Sequence, residues 1–191
     1  MIYVPASYER SKPMPLLLLL HGAGGGASAW FGSYGPRAES AGIIMLAPDS
    51  RASTWDAISG AFGPDVAYIN RALERTFSQF AIDRDRLAMA GFSDGASYSL
   101  SLGLANGDLF RRVIAYSPGF VVGSGRRGTP AFFISHGTSD PILPIDTTSR
   151  RIVPALRQGG YSVDYTEFDG HHEVTPAISD AGMKWLIDHQ R

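Results

Sequence analysis

Residues 86–96 read "RLAMAGFSDGA". An apolar run leads straight into Ser93, which has a glycine two positions before it and another two positions after it. The pattern G-x-S-x-G is weak by itself. With 22 glycines in 191 residues and serine nearly as common, it arises by chance in roughly one such chain in four. Its meaning depends on what flanks it. If 86–92 is a strand and 94–106 a helix, Ser93 stands on the sharp turn between them, with its hydroxyl held out at the end of a sheet.

The rest of the chain supports that placement. Five more short runs, most of them continuously apolar, recur at intervals: "PLLLLLHG" (15–22), "GIIMLAPD" (42–49), "RVIAYSPG" (112–119), "AFFISHG" (131–137) and "SVDYTEFDG" (162–170). Unbroken apolar runs of this length are strands buried on both faces of a parallel sheet. Amphipathic or buried helices are predicted between them, over 28–41, 65–80, 94–106, 146–159 and 177–190. This alternation predicts a single α/β domain over 1–191, a three-layer α/β/α sandwich with a mostly parallel sheet. Ligands of such sheets bind at the carboxyl ends of the strands.

The residues at those ends form a set. "HGAGGGA" (21–27) follows the first run, "PDSRASTW" (48–55) the second, Ser93 the third, "HGTSDPILP" (136–144) the fifth and "FDGHHEV" (168–174) the sixth. A serine, an aspartate and a histidine fit for a catalytic relay thus share an edge. A serine hydroxyl needs an adjacent base. Histidine titrates near neutrality and can take that proton and return it to a leaving group. An aspartate on the far ring nitrogen fixes the tautomer. The expected nucleophile, acid and base are Ser93, Asp140 and His172. Gly91 and Gly95 remove side chains that would collide at the turn. The oxyanion would be held by the backbone N–H of Asp94 and of Ala23.

Plainer readings compete. Ser93 could be a helix N-cap, and Asp140 a turn-former before proline. Of the adjacent histidines, His172 is preferred to His171, which would cap a strand end or face solvent. His21 and His136 are expected to brace loops through their rings. His171, His172 and Glu173 lack matching ligands elsewhere, so no metal and no cofactor is expected. Trp30, Trp55, Phe62, Phe120 and Val121 lie at the same edge and either line a substrate pocket or fill the core.

Composition bounds the partners. The net charge is -1, with 17 basic and 18 acidic residues and no basic run, so nucleic acid is not expected. The longest apolar run falls far short of the ~20 residues of a membrane span. The absence of cysteine excludes disulfides and a thiolate nucleophile. "MIYVPASYERSK" has no basic start leading into an apolar stretch, which makes the cytoplasm the default compartment. A homodimer is compatible with the sequence, which does not specify the oligomeric state.

The motifs "LLLLHGAGG", "IDRDRLAMAGFSDGA", "SHGTSDPILP" and "GHHEV", spread over about residues 3–190, resemble the α/β-hydrolases of the phospholipase/carboxylesterase type. The order Ser, Asp, His is the one that fold uses. The resemblance implies an α/β-hydrolase fold without a lid domain and a serine carboxylesterase acting on a small-molecule ester. By motif, it maps the nucleophile to Ser93, the acid to Asp140, the base to His172 and the oxyanion donors to Ala23 and Asp94. The triple glycine Gly24–Gly25–Gly26 departs from the family's usual loop and resembles polyester and feruloyl esterases as much as acyl-thioesterases. Short-chain acyl esters are the expected substrates. A thioesterase, a lysophospholipase, a peptidase or a non-catalytic binding protein on this scaffold are the alternatives.

Overall fold

A computed structural model describes residues 1–123 and 125–189. The predicted final helix therefore ends on a residue, 190, outside the described range. Seven strands join in one sheet: β1 (Ile2–Tyr3), β2 (Met14–Leu20), β3 (Ile44–Leu46), β4 (Ile82–Phe92), β5 (Arg112–Tyr116), β6 (Ala131–Gly137) and β7 (Val163–Phe168). Their spatial order is β1-β3-β2-β4-β5-β6-β7, and every neighbouring pair is parallel except β1 with β3.

Five helices cover the sheet: α1 (Ser28–Ala41), α2 (Pro64–Gln79), α3 (Asp94–Ala105), α4 (Ser149–Gln158) and α5 (Pro176–Asp188). The leucine run of β2 shows how one strand serves two cores. Leu17 and Leu19 pack with Trp30 and Tyr34 of α1 and Trp185 and Leu186 of α5. Leu16, Leu18 and Leu20 point the other way, onto Ile69 and Leu73 of α2 and Tyr98 and Leu102 of α3. On β6, Phe132 and Ile134 meet Leu100 and Leu104 of α3 and Val153 and Leu156 of α4. Alternating side chains that are all apolar leave neither face of a strand able to meet water, so helices must lie on both sides. The result is the expected three-layer α/β/α sandwich.

Local signals set the helix boundaries. α1 ends where Gly42 takes a left-handed conformation (φ 64°) and turns its N–H onto Ala38 O and Glu39 O. α2 and α5 each begin with a proline, Pro64 and Pro176, where the missing N–H costs nothing. The Thr175 side chain caps α5 by accepting from Ile178 N–H at 3.2 Å.

Three expectations need correction. β1 is an additional strand, too short to carry a period. The run 42–49 yields only the three residues of β3. The segment 146–159 opens as a 3₁₀ turn over Ile145–Thr147 and becomes helical only at Ser149.

Candidate active site

β4 is central in the sheet, and its carboxyl end delivers Ser93 to the amino end of α3. Ser93 has φ 58° and ψ −121°, a region that non-glycine residues avoid. Two glycines make the turn possible. A β-carbon on Gly91 would lie 2.2 Å from Gly95 O, and one on Gly95 would lie 2.2 Å from Leu20 O and 2.4 Å from His21 O. All of these are backbone atoms that cannot swing away. Gly95→Ala is therefore expected to cost about 3 kcal/mol, which lowers Tm by roughly 6–12 °C in a domain of this size. Gly32, exposed on α1 with nothing within 4 Å of an added β-carbon, makes the opposite case. Gly32→Ala should raise stability by about 0.5–1 kcal/mol through helix propensity. Thermal unfolding of both variants checks the pair.

The loops after β6 and β7 bring Asp140 and His172 to the serine. His172 Nε2 stands 2.8 Å from Ser93 Oγ, and His172 Nδ1 stands 2.6 Å from Asp140 Oδ2. The other carboxylate oxygen, Oδ1, accepts the N–H groups of Ile142 (2.9 Å) and Leu143 (2.8 Å). Burial works against the Asp140 charge. The bonds from Leu143 N–H, the His172 ring and Ile142 N–H outweigh it and hold the carboxyl below its ordinary range. The Phe92 ring lies against the His172 ring, with centroids 4.7 Å apart. His171, the adjacent alternative, is exposed and sits with its Nδ1 3.0 Å from Ser139 O.

The glycine-rich loop after β2 is braced from the loop after β3. His21 Nδ1 lies 2.7 Å from Gly22 O and His21 Nε2 3.0 Å from Ser50 N. A carbonyl only accepts and a backbone N–H only donates, so the ring is neutral with its proton on Nδ1. Trp55 donates its indole N–H to His21 O, and Gly24 donates its N–H to Ser53 O, each at 2.7 Å. Thr54 bonds the Asp94 carboxylate at 2.7 Å. Beneath this loop the buried Asp65 carboxylate takes the N–H groups of Arg51 and Asp56. A methyl group on Gly22 would come within 3.2 Å of Ser93 Cβ, which puts the backbone at Gly22, one residue before Ala23, beside the serine. The leading N–H groups of α3, Asp94 among them, have no partner inside the helix.

A cavity of about 310 Å³ opens next to this loop, lined by Ala23, Ala29, Trp30, Ser33, Phe92 and Val174 among others. Trp30 is thus at its wall. Trp55 is not: it is fully buried, stacks on Tyr98 (5.3 Å) and spends its N–H on the loop. Phe62 packs edge-on against Tyr98, and Phe120 joins the same cluster, both half-buried. Val121 packs toward α3 and α4 and lines a separate groove with Arg126 and Arg151. Trp30 stands in the first turn of α1 and Trp55 in a loop, and an aromatic at either place can point inward or outward without any change in pattern, so sequence did not separate the two.

Sequence reading also missed a serine ladder on α3. Ser97 Oγ donates to Ser93 O (3.2 Å) and accepts Gly119 N–H (2.9 Å), and Ser101 Oγ accepts Val122 N–H (3.0 Å). The i, i+4 spacing of Ser93, Ser97 and Ser101 was its only available signal. Among the described residues no cluster of three or more His, Cys, Asp or Glu is placed to hold a metal, and no helix is long and apolar enough to cross a membrane.

A sheet of this order, with a strained serine at the end of its central strand, defines the chain as an α/β-hydrolase. It belongs to the phospholipase/carboxylesterase family, whose profile matches residues 46–189. Among curated proteins it is 33% identical over 153 residues to a probable feruloyl esterase C of Aspergillus oryzae, covering 75% of this chain and 55% of the relative. It is 27% identical over 208 residues to feruloyl esterase C of Emericella nidulans, covering 91% and 75%. Against the first of these the chain spans about half the relative's length. Among solved structures, esterase PE8 superimposes with a TM-score of 0.82 at 18% identity, covering 98% of this chain and 97% of that one. A ferulic acid esterase from Anaeromyces mucronatus, in complex with ferulic acid, superimposes with a TM-score of 0.76 at 20% identity, covering 97% and 82%. At these identities the superpositions establish the fold.

Proposed function

We propose that the chain is a serine carboxylesterase that cleaves small carboxylic esters through an acyl-enzyme. The observation that carries this reading is the unbroken line Ser93 Oγ, His172 Nε2, His172 Nδ1, Asp140 Oδ2, with links of 2.8 and 2.6 Å. Ser93 Oγ attacks the ester carbonyl carbon while His172 Nε2 takes its proton. The carbonyl oxygen becomes an oxyanion held by the N–H groups of Ala23 and Asp94. The intermediate collapses, the C–O bond to the alcohol breaks, and His172 returns the proton to the departing alkoxide oxygen. Water then repeats the sequence on the acyl-enzyme, with His172 as base, and releases the acid and Ser93.

A second reading concerns the acyl group. Trp30 and Phe92 line the cavity beside Ala23, and both curated relatives are described as feruloyl esterases. An aromatic acyl group of the hydroxycinnamoyl type therefore competes with a short aliphatic one. Hydrolysis of p-nitrophenyl esters from acetate to palmitate, alongside methyl ferulate, separates them. The expected result is a kcat/KM that peaks at short chains and falls at least tenfold by palmitate. A higher kcat/KM on methyl ferulate than on p-nitrophenyl acetate would assign the cavity to an aromatic acyl group. No turnover on any of these esters by the folded protein would overturn the esterase reading in favour of a thioester, an amide or a non-catalytic scaffold.

A further inference from the structure

The triad leaves one buried histidine unused. His136 sits near the carboxyl end of β6, fully buried, four residues before the acid. Its Nε2 lies 2.8 Å from Leu143 O and 3.1 Å from Asp140 Oδ2, and its Nδ1 lies 2.7 Å from Ser149 Oγ at the start of α4. Leu143 O can only accept, so Nε2 carries a hydrogen. That hydrogen faces two oxygens at once, one of them the carboxylate oxygen that receives His172 Nδ1. We propose that His136 is a positioning residue for the triad, a second imidazole that shares Asp140 Oδ2 with His172 and sets both the place of the carboxylate and the basicity of the catalytic ring. This rests on the reading of Ser93, Asp140 and His172 as a triad.

Two connections carry the effect. The first runs through Leu143, whose carbonyl takes the His136 hydrogen while its own N–H holds Asp140 Oδ1. His136 thereby clamps the acid loop from below. The second is direct. An N–H dipole 3.1 Å from Oδ2 draws off part of the negative charge that would otherwise stabilise the His172 imidazolium. For this the ring must stay neutral with its proton on Nε2, and three features of the site secure that state. Ser149 can donate its O–H to the bare Nδ1. Burial pushes the His136 pKa below the ordinary histidine range. On the neighbouring strand Glu167, its partner in register, is bound to Arg150, so that carboxylate is already neutralised. The other titratable groups facing the ring are Asp140 and His172 themselves.

The experiment compares wild type, His136→Gln, His136→Phe and Ser149→Ala by kcat, KM and the pH dependence of kcat/KM on p-nitrophenyl acetate, with a melting curve for each. His136→Phe fills the space without a donor. It should lose roughly 10- to 100-fold in kcat with KM unchanged, and the acid limb of its profile should move up by roughly half a unit. His136→Gln, which can offer an amide N–H to the same oxygens, should recover most of both. Ser149→Ala keeps the ring but removes one of the two bonds that hold its tautomer and position, and should lose severalfold in kcat. Wild-type kcat and profile in a folded His136→Phe would overturn the assignment. If that variant does not fold, wild-type behaviour in Ser149→Ala would overturn it. Wild-type activity that survives Ser93→Ala would sink the triad reading instead, so the two failures are distinct.

Discussion

Ser93→Ala is expected to lower kcat by roughly 10⁴- to 10⁶-fold while leaving KM within a few-fold of wild type. That loss corresponds to about 5–8 kcal/mol of barrier at 1.36 kcal/mol per decade. The size follows from how many parts of the site act through one oxygen. On the proposed mechanism, His172 has no proton to take without Ser93 Oγ at 2.8 Å, and the proposed oxyanion donors, the N–H groups of Ala23 and Asp94, would then stabilise only a slow attack by water. Stability should separate from activity at this position. Ser93 holds φ 58° and ψ −121°, a conformation that costs a non-glycine residue about 1–3 kcal/mol. Ser93→Gly should therefore be as inactive as Ser93→Ala yet more stable than wild type by about 1 kcal/mol, once the extra freedom of glycine in the unfolded chain is subtracted. Burst kinetics on p-nitrophenyl acetate and thermal unfolding measure the two effects. Turnover in Ser93→Ala equal to that of wild type removes the nucleophile from this serine.

The helices and the central strands were legible because their signals are local and redundant. "PLLLLL" can satisfy only a strand with two covered faces. Pro64, Pro176 and Gly42 mark helix ends within a residue of where they fall. The edge on which Ser93, Asp140 and His172 meet was also legible, since a parallel sheet brings all its strand ends to one side. What stayed hidden depends on partners distant in the chain. β1 is two residues whose strand character comes from Met45 and Leu46 across the ladder. β4 extends back through the polar "IDRDR", where Ile82 pairs with Met14, and nothing apolar announces it. Trp30 and Trp55 have similar flanking sequence, yet one borders the cavity and the other is sealed under His21 O. The bonds from Thr54 to Asp94 and from Ser97 to Gly119 join loops to α3 through groups that any serine or threonine carries. Only the folded backbone selects which ones engage.

Asp140→Asn is the more discriminating substitution, because it changes one atom and should still remove about four decades of kcat. The local geometry dictates how an asparagine must sit. At Oδ1 two backbone N–H groups, from Ile142 and Leu143, arrive at 2.9 and 2.8 Å, so the amide oxygen is forced to that side. The amide NH₂ then occupies the place of Oδ2 and faces His172 Nδ1 at 2.6 Å and His136 Nε2 at 3.1 Å. A donor in that place obliges His172 to present a bare Nδ1 and to carry its proton on Nε2. In that tautomer the ring donates toward Ser93 Oγ and cannot accept from it. The opposite flip of the amide would aim NH₂ at two N–H groups and leave both backbone donors unpaired, at about 1–3 kcal/mol each. Protonating the native aspartate is no substitute for this experiment, since its bonds hold the carboxyl below its ordinary range and it remains an anion throughout pH 5–8. The expected result is a folded protein with a melting point within a few degrees of wild type and a kcat about 10⁴-fold lower. A loss of less than tenfold would mean that His172 finds its working tautomer without Asp140, and the acid would have to be sought elsewhere on the sheet edge.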